Sequence, residues 1–175
     1  MTERADLSGH WVGHYSQHGV NHPISADITQ AGPLLAGHMR DSDTVSEKSV
    51  FETALDAGLP PGADEQIESS LRTLFPDARG APVRVTSRLP SDSSLEGHVR
   101  GRTVSFRKTY QGEHFVGYRV GGQQFGLTVE QHAVHYRGEV SADGASLEGR
   151  WWIDPAPAAH VVRTEGNFEL RRVPG

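Results

Sequence analysis

The chain has no cysteine, which excludes a disulfide scaffold, a thiolate metal site and a cysteine nucleophile. It also lacks any apolar run approaching the roughly 18 to 20 residues that a membrane helix needs. Met1 to Trp11 has neither the basic start nor the apolar stretch of a targeting peptide. The expectation is a cytoplasmic protein with no membrane partner. A surplus of positive charge is missing too. Lys plus Arg number 17 against 22 Asp plus Glu, a formal charge of -5, which argues against a general nucleic-acid binder. Nor does a nucleophile with its base, a carboxylate pair or a phosphate-cradling glycine loop occur in a supporting context, so no catalytic residue is assigned.

What is present points to β structure. Twenty glycines and ten prolines in 175 residues, with 35% hydrophobic residues, describe a turn-rich globular chain and argue against a helix bundle. The length suits a single domain over residues 1–175. Alternation begins at once: Trp11, Gly13 and Tyr15 share one parity and His10, His14 and Ser16 the other, as in a half-buried strand. Ile24, Ala26 and Ile28 repeat the pattern, and Gly32-Pro33 turns the chain into Leu35, Gly37 and Met39.

Residues 42–82 break the rhythm and read as a helical insert. Thr44 and Glu47 have capping-box spacing ahead of Phe51, Ala54 and Leu55, with Gly58-Leu59-Pro60-Pro61 as a stop. The same segment also fits an extended strand through Val50 and Glu52. A second helix is expected with Asp64 as N-cap, Ile67, Leu71, Leu74 and Phe75 on one face, and Pro76 at its end. Such a hairpin must cover its apolar faces at a barrel opening or on the flank of a sheet; the opening is the expected seat.

After Pro82, strands are expected at Val83 to Leu89, Leu95 to Val99, Thr103 to Tyr110, His114 to Val120, Gln124 to Val129, Ala133 to Ser141, Leu147 to Ile153 and Asn167 to Val173. Gly101-Arg102, Gln111-Gly112, Gly121-Gly122 and Asp143-Gly144 separate them at hairpin distances, which predicts antiparallel neighbours. With some runs merging, the economical arrangement is an all-β, antiparallel up-and-down barrel of about eight strands, whose closure removes exposed edges.

Gly9-His10-Trp11 on the first strand and Phe168-Glu169-Leu170-Arg171-Arg172 on the last resemble the signature of the calycin superfamily, the barrels of lipocalins, fatty-acid-binding proteins and avidins. The stretches from Leu95 to Tyr110, Val134 to Gly138 and Leu147 to Trp151 resemble uncharacterised bacterial calycin-like proteins. The resemblance implies a closed barrel in which Trp11 and Arg172 meet by a cation–π contact, worth about 0.5 to 2 kcal/mol, as structural closure. Val12 and Gly13 stand where avidins carry polar biotin contacts, which argues against biotin. Nitrobindin-like haem barrels are a further relative, but nothing fixes a proximal histidine, and no cofactor is assigned.

Ten histidines invite a metal hypothesis, with His10, His14, His18 and His22 spaced by four. On a strand that spacing puts residues about 13 Å apart, too far to share an ion, so no metal ligand is assigned. His132 and His135, three apart, fall on opposite strand faces. The histidines predict a charge that swings from -5 toward positive as pH falls through roughly 6.5, and with it a pH-sensitive solubility.

Lys108 follows Val104 and Phe106 on the inward parity and precedes Tyr110, placing an ammonium inside a barrel or at its rim. Tyr15, Tyr118 and Tyr136 also fall on inward parities, each an apolar ring with a hydroxyl. Trp151 falls inside and Trp152 outside, where a homodimer contact or the loop from Pro155 to Thr164 would cover it. The reading is a barrel that binds a small, partly apolar ligand without catalysis through Tyr15, Phe106, Lys108, Tyr118, Tyr136 and Trp151, Lys108 orienting the ligand or pairing with an acidic group. A Gly13→Trp change is expected to fill the cavity and spare the fold. The alternatives are an enzyme in the same cavity with His114 or Lys108 as general base, or an interaction barrel with a filled core acting through Trp152.

Overall fold

The computed structural model describes residues 6–78, 80–129, 133–154 and 164–175. In chain order the elements are β1 (Gly9–Gln17), β2 (Val20–Ala31), β3 (Leu34–Asp41), β4 (Val45–Ser49), α1 (Val50–Asp56), α2 (Ala63–Leu74), a 3-10 turn (Pro76–Ala78), β5 (Val83–Arg88), β6 (Asp92–Arg100), β7 (Thr103–Tyr110), β8 (His114–Val120), β9 (Gln123–Val129), β10 (Ala133–Val140), β11 (Ser146–Ile153) and β12 (Thr164–Arg172). Among the described residues no helix is long and apolar enough to cross a membrane.

Eight strands close into an antiparallel barrel in the order β1-β2-β3-β6-β7-β10-β11-β12, with β12 returning to β1. Skipping β4, β5, β8 and β9, this is the chain order, so the barrel is an up-and-down meander as the alternation predicts. The inward parity holds on every strand: Trp11, Ile24, Ala26, Ile28, Met39 and Leu95 are buried, and Val104, Phe106, Lys108 and Tyr110 follow one another inward along β7. Each fully buried aliphatic or aromatic side chain contributes about 1.5–3 kcal/mol. Midway along the interior, Phe106 stacks on Tyr136 with centroids 4.7 Å apart, and Phe168 stands edge-on to both. The Asp143-Gly144 turn forms as expected, with Gly144 at φ +70° and the Asp143 carboxylate accepting the Ala145 amide at 3.1 Å.

Inward glycines let neighbouring backbones approach. At Gly13 a Cβ would stand 1.9 Å from the Glu169 carbonyl oxygen across the β1–β12 seam. This corrects the expectation for Gly13→Trp, because any side chain there collides with main chain before it fills a cavity.

The other four strands form a separate sheet, β4-β5-β8-β9, in a second compact unit of Thr44–Leu89 and Glu113–Glu130. The expected helical insert over 42–82 is thus part of a larger unit that also takes in the hairpin β8–β9. Its helices pack on their own sheet through Val50, Leu71, Val83 and Val120. The flank of a sheet therefore covers them. Two helix starts also differ from expectation. The capping box lies at Ser49 and Glu52, five residues after the Thr44–Glu47 pair, because β4 pairs with β5 up to Ser49. The N-cap of α2 is Gly62, ahead of Asp64, and Leu74 is 68% exposed although Leu71 is buried. Gln111-Gly112 does not make a hairpin: β7 pairs with β6 and β10, and β8 with β5 and β9.

Candidate functional site

The barrel interior changes character at the end where β3 and β7 finish. Alternation carries β3 from Leu35, Gly37 and Met39 to Asp41, and β7 from Val104 and Phe106 to Lys108 and Tyr110. Both charged side chains therefore point inward. Lys108 is 1% and Asp41 5% exposed, and the Lys108 ammonium donates to Asp41 Oδ2. Lys108 Nζ also lies 4.5 Å from the centroid of the Tyr110 ring and 3.4 Å from its hydroxyl. Ser93, fully buried on β6, pairs in register with Met39 on one side and Tyr110 on the other. Asp41 Oδ1 and Ser93 Oγ have no hydrogen-bond partner among the described residues.

Tyr15 and Trp151 flank this end. Their rings meet edge to face at 5.5 Å, and Trp151 Nε1 donates to the Ser16 carbonyl at 3.0 Å. His22 stacks on Tyr15 at 4.8 Å, and its Nδ1 lies 2.7 Å from Asp43. Burial dominates the electrostatics. It pushes the Asp41 carboxyl up against the pull of Lys108, and the Lys108 ammonium down against the pull of Asp41. Burial thus works against both charges, while the Asp41–Lys108 contact itself holds them. Burial, reinforced by the Asp41 charge, also raises the hydroxyls of Tyr15, Tyr110 and Tyr136, so these phenols remain donors.

Of the residues expected to contact a ligand, Tyr15, Phe106, Lys108, Tyr136 and Trp151 share the barrel interior. Phe106 and Tyr136 spend their faces on each other and on Phe168. Tyr118 is a correction: it lies on β8 of the second unit, half-buried against Phe125 at 5.5 Å, because that strand pairs with β5. His114, the alternative base, is also on β8, with Nε2 3.1 Å from the Ser87 hydroxyl, and burial lowers its pKa. Lys108 differs from expectation in its partner, since Asp41 rather than a ligand acid neutralises it. Asp41 and Ser93 were missed. Each lies one inward step beyond an expected strand residue, Met39 and Leu95, because β3 runs on to Asp41 and β6 starts at Asp92.

At the closure, Trp11 is fully buried, its Nε1 donates to the Leu7 carbonyl at 2.9 Å, and it pairs in register with Arg172. The Arg172 guanidinium hydrogen-bonds the carbonyls of Asp6 and Ser8, tying down the segment that enters β1. The expected stack over the Trp11 indole is not among the contacts of the described residues. On the outer wall Trp152 stacks on His135 at 5.4 Å, and residues 155–163, expected to cover it, lie outside the described residues.

These features define a class: a closed, antiparallel eight-stranded barrel whose mostly apolar interior holds, at one end, a buried ion pair and two oxygens with no partner among the described residues. No family model, curated protein or solved structure matches the chain.

Proposed function

We propose that this is a calycin-like binding protein that takes one small, partly apolar, uncharged molecule into the barrel beside Asp41 and Lys108, without turnover. One observation carries the reading. Asp41 Oδ1 and Ser93 Oγ are buried without a hydrogen-bond partner among the described residues. Leaving such an atom unsatisfied costs about 1–3 kcal/mol, so a ligand that donates a hydrogen bond there is favoured. The pair sums to no net charge, which suits a neutral ligand. The packed rings of Phe106, Tyr136 and Phe168 confine the molecule to the Asp41 end.

Benzyl alcohol, an aromatic ring with one donor, is a suitable probe. Titration followed by the NMR signal of the Trp151 indole N–H is expected to saturate. Ser93→Ala, which removes only the hydroxyl, is expected to weaken binding about tenfold, the loss of one hydrogen bond worth about 1.4 kcal/mol. No response, or equal affinity in the variant, overturns the reading. Native mass spectrometry of protein taken directly from cells then reports the natural ligand's mass.

A further inference from the structure

Lysine is scarce in this chain. Of 17 Lys plus Arg, only Lys48 and Lys108 are lysine, and the rest are arginine. Arginine is the better ion-pair former and holds its proton throughout the working range of a protein, whereas lysine gives its proton up when buried. The cation sealed inside the barrel is nevertheless a lysine. Its Nζ touches a carboxylate, its side chain is 1% exposed, and a carboxylate oxygen and a serine hydroxyl without a partner among the described residues lie at the same end of the interior.

We propose that Lys108 is a carbonyl-capturing nucleophile that forms a reversible imine with a small aldehyde or ketone held at the Asp41 end of the barrel. This rests on the binding reading above and adds a carbonyl group to the ligand's hydrogen-bond donor; benzaldehyde and benzyl alcohol probe the two features separately.

The chemistry follows from the contacts. The Lys108 ammonium passes one proton to Asp41, leaving a neutral amine and a carboxylic acid. The amine lone pair attacks the carbonyl carbon, a C–N bond forms, and the C=O π electrons move to oxygen. Transfer of a proton from nitrogen to that oxygen gives a carbinolamine. Asp41 then returns its proton to the hydroxyl, the C–O bond breaks, and water leaves. The product is a protonated imine beside the Asp41 carboxylate, so one carbonyl compound is consumed, one water is released and no electrons are gained or lost overall. Burial supports this sequence, because it lowers the Lys108 pKa and raises that of Asp41, bringing donor and acceptor closer to balance. Asp41 Oδ2 holds the amine, and Oδ1, buried without a hydrogen-bond partner among the described residues, is left to serve the departing water. The titratable groups around the pair are Tyr15, Tyr110 and Tyr136, all held protonated, with His22 acting on Asp41.

The test uses the full chain with benzaldehyde and sodium cyanoborohydride at neutral pH, followed by intact mass and peptide mapping. Lys48 is an internal comparator, since its side chain is 47% exposed and its Nζ lies 2.6 Å from Asp56. The expected result is one benzyl group per chain, at Lys108 in at least tenfold preference to Lys48 and the α-amino group. Its labelling rate should rise with pH at a midpoint below that of ordinary lysine, about 10.4. Asp41→Asn is expected to slow labelling at least tenfold, and Lys108→Arg to abolish it.

Preferential labelling of Lys48 or the α-amino group overturns the proposal, and this readout on the unaltered chain does not depend on the variants folding. Saturable response to both benzaldehyde and benzyl alcohol with no trapped adduct overturns imine formation and leaves the binding reading standing. If neither compound gives a response, both fall.

Discussion

The buried pair of Asp41 and Lys108 makes a quantitative demand on stability. Their side chains are 2% and 1% exposed, so water does not screen them, and the small worth of a surface ion pair does not apply. Lys108→Met leaves the carboxylate without its cation, and Asp41→Asn leaves the ammonium without its anion. Either loss from a buried site costs about 3–5 kcal/mol. In a chain of 175 residues each kcal/mol moves the melting temperature by about 2–4 °C, so either variant should melt about 6–20 °C lower. The double variant removes both charges, and is expected to be at least about 2 kcal/mol more stable than the sum of the two single losses predicts.

The Lys108→Met deficit also has a pH sign. Burial already raises Asp41 above its ordinary 3.8, and removing the cation raises it further. A raised carboxyl contributes stability below the unfolded pKa and loses it as pH rises through the folded value. The deficit should therefore be smallest near pH 4 and grow toward pH 7. Urea unfolding of the four proteins at those two pH values provides the measurement. Single losses below about 1 kcal/mol, strict additivity, or a deficit independent of pH would each refute the reasoning.

Two further outcomes follow from local geometry. Gly13→Ala, whose methyl would stand 1.9 Å from the Glu169 carbonyl, is expected to cost about 3 kcal/mol in denaturant unfolding. Gly122→Ala, which meets nothing within 4 Å, should change stability by less than about 0.5 kcal/mol, and equal effects would reject the close-approach argument. Glu52 accepts the Ser49 amide and hydroxyl at 2.8 Å each, which hold its carboxyl below its ordinary 4.5. Its support of α1 is complete above that value and fades as pH falls through the lower folded one. An NMR titration should find the Ser49 amide following a midpoint below 4.5, and one at or above 4.5 would contradict it.

Much of the site was legible in residue parity. Val104, Phe106, Lys108 and Tyr110 share a strand face whatever their neighbours are, because side chains alternate along any strand. That placed the lysine on the inward face, inside the barrel or at its rim, and only its burial decides for the interior. Extending the same rule by two residues from Met39 and from Leu95 reaches Asp41 and Ser93, the partners that the shorter strands left out. Residue pattern could not state that Lys108 meets Asp41. That contact joins positions 67 apart in the chain and exists because β6 lies between β3 and β7.

The sequence by itself determined the local grammar: the alternation of every barrel strand, the turn at Asp143-Gly144, the two helices and the inward lysine, all set by interactions among residues close in the chain. Tertiary structure alone decided partnership. Gly121-Gly122 makes a hairpin and Gln111-Gly112 does not, although both are short and glycine-containing, because β8 finds β5 rather than β7. A strand's unpaired amides and carbonyls accept any edge of matching register. Which edge wins depends on side-chain packing between distant segments, and here it drew β4, β5, β8 and β9 into a sheet of their own and took Tyr118 with them.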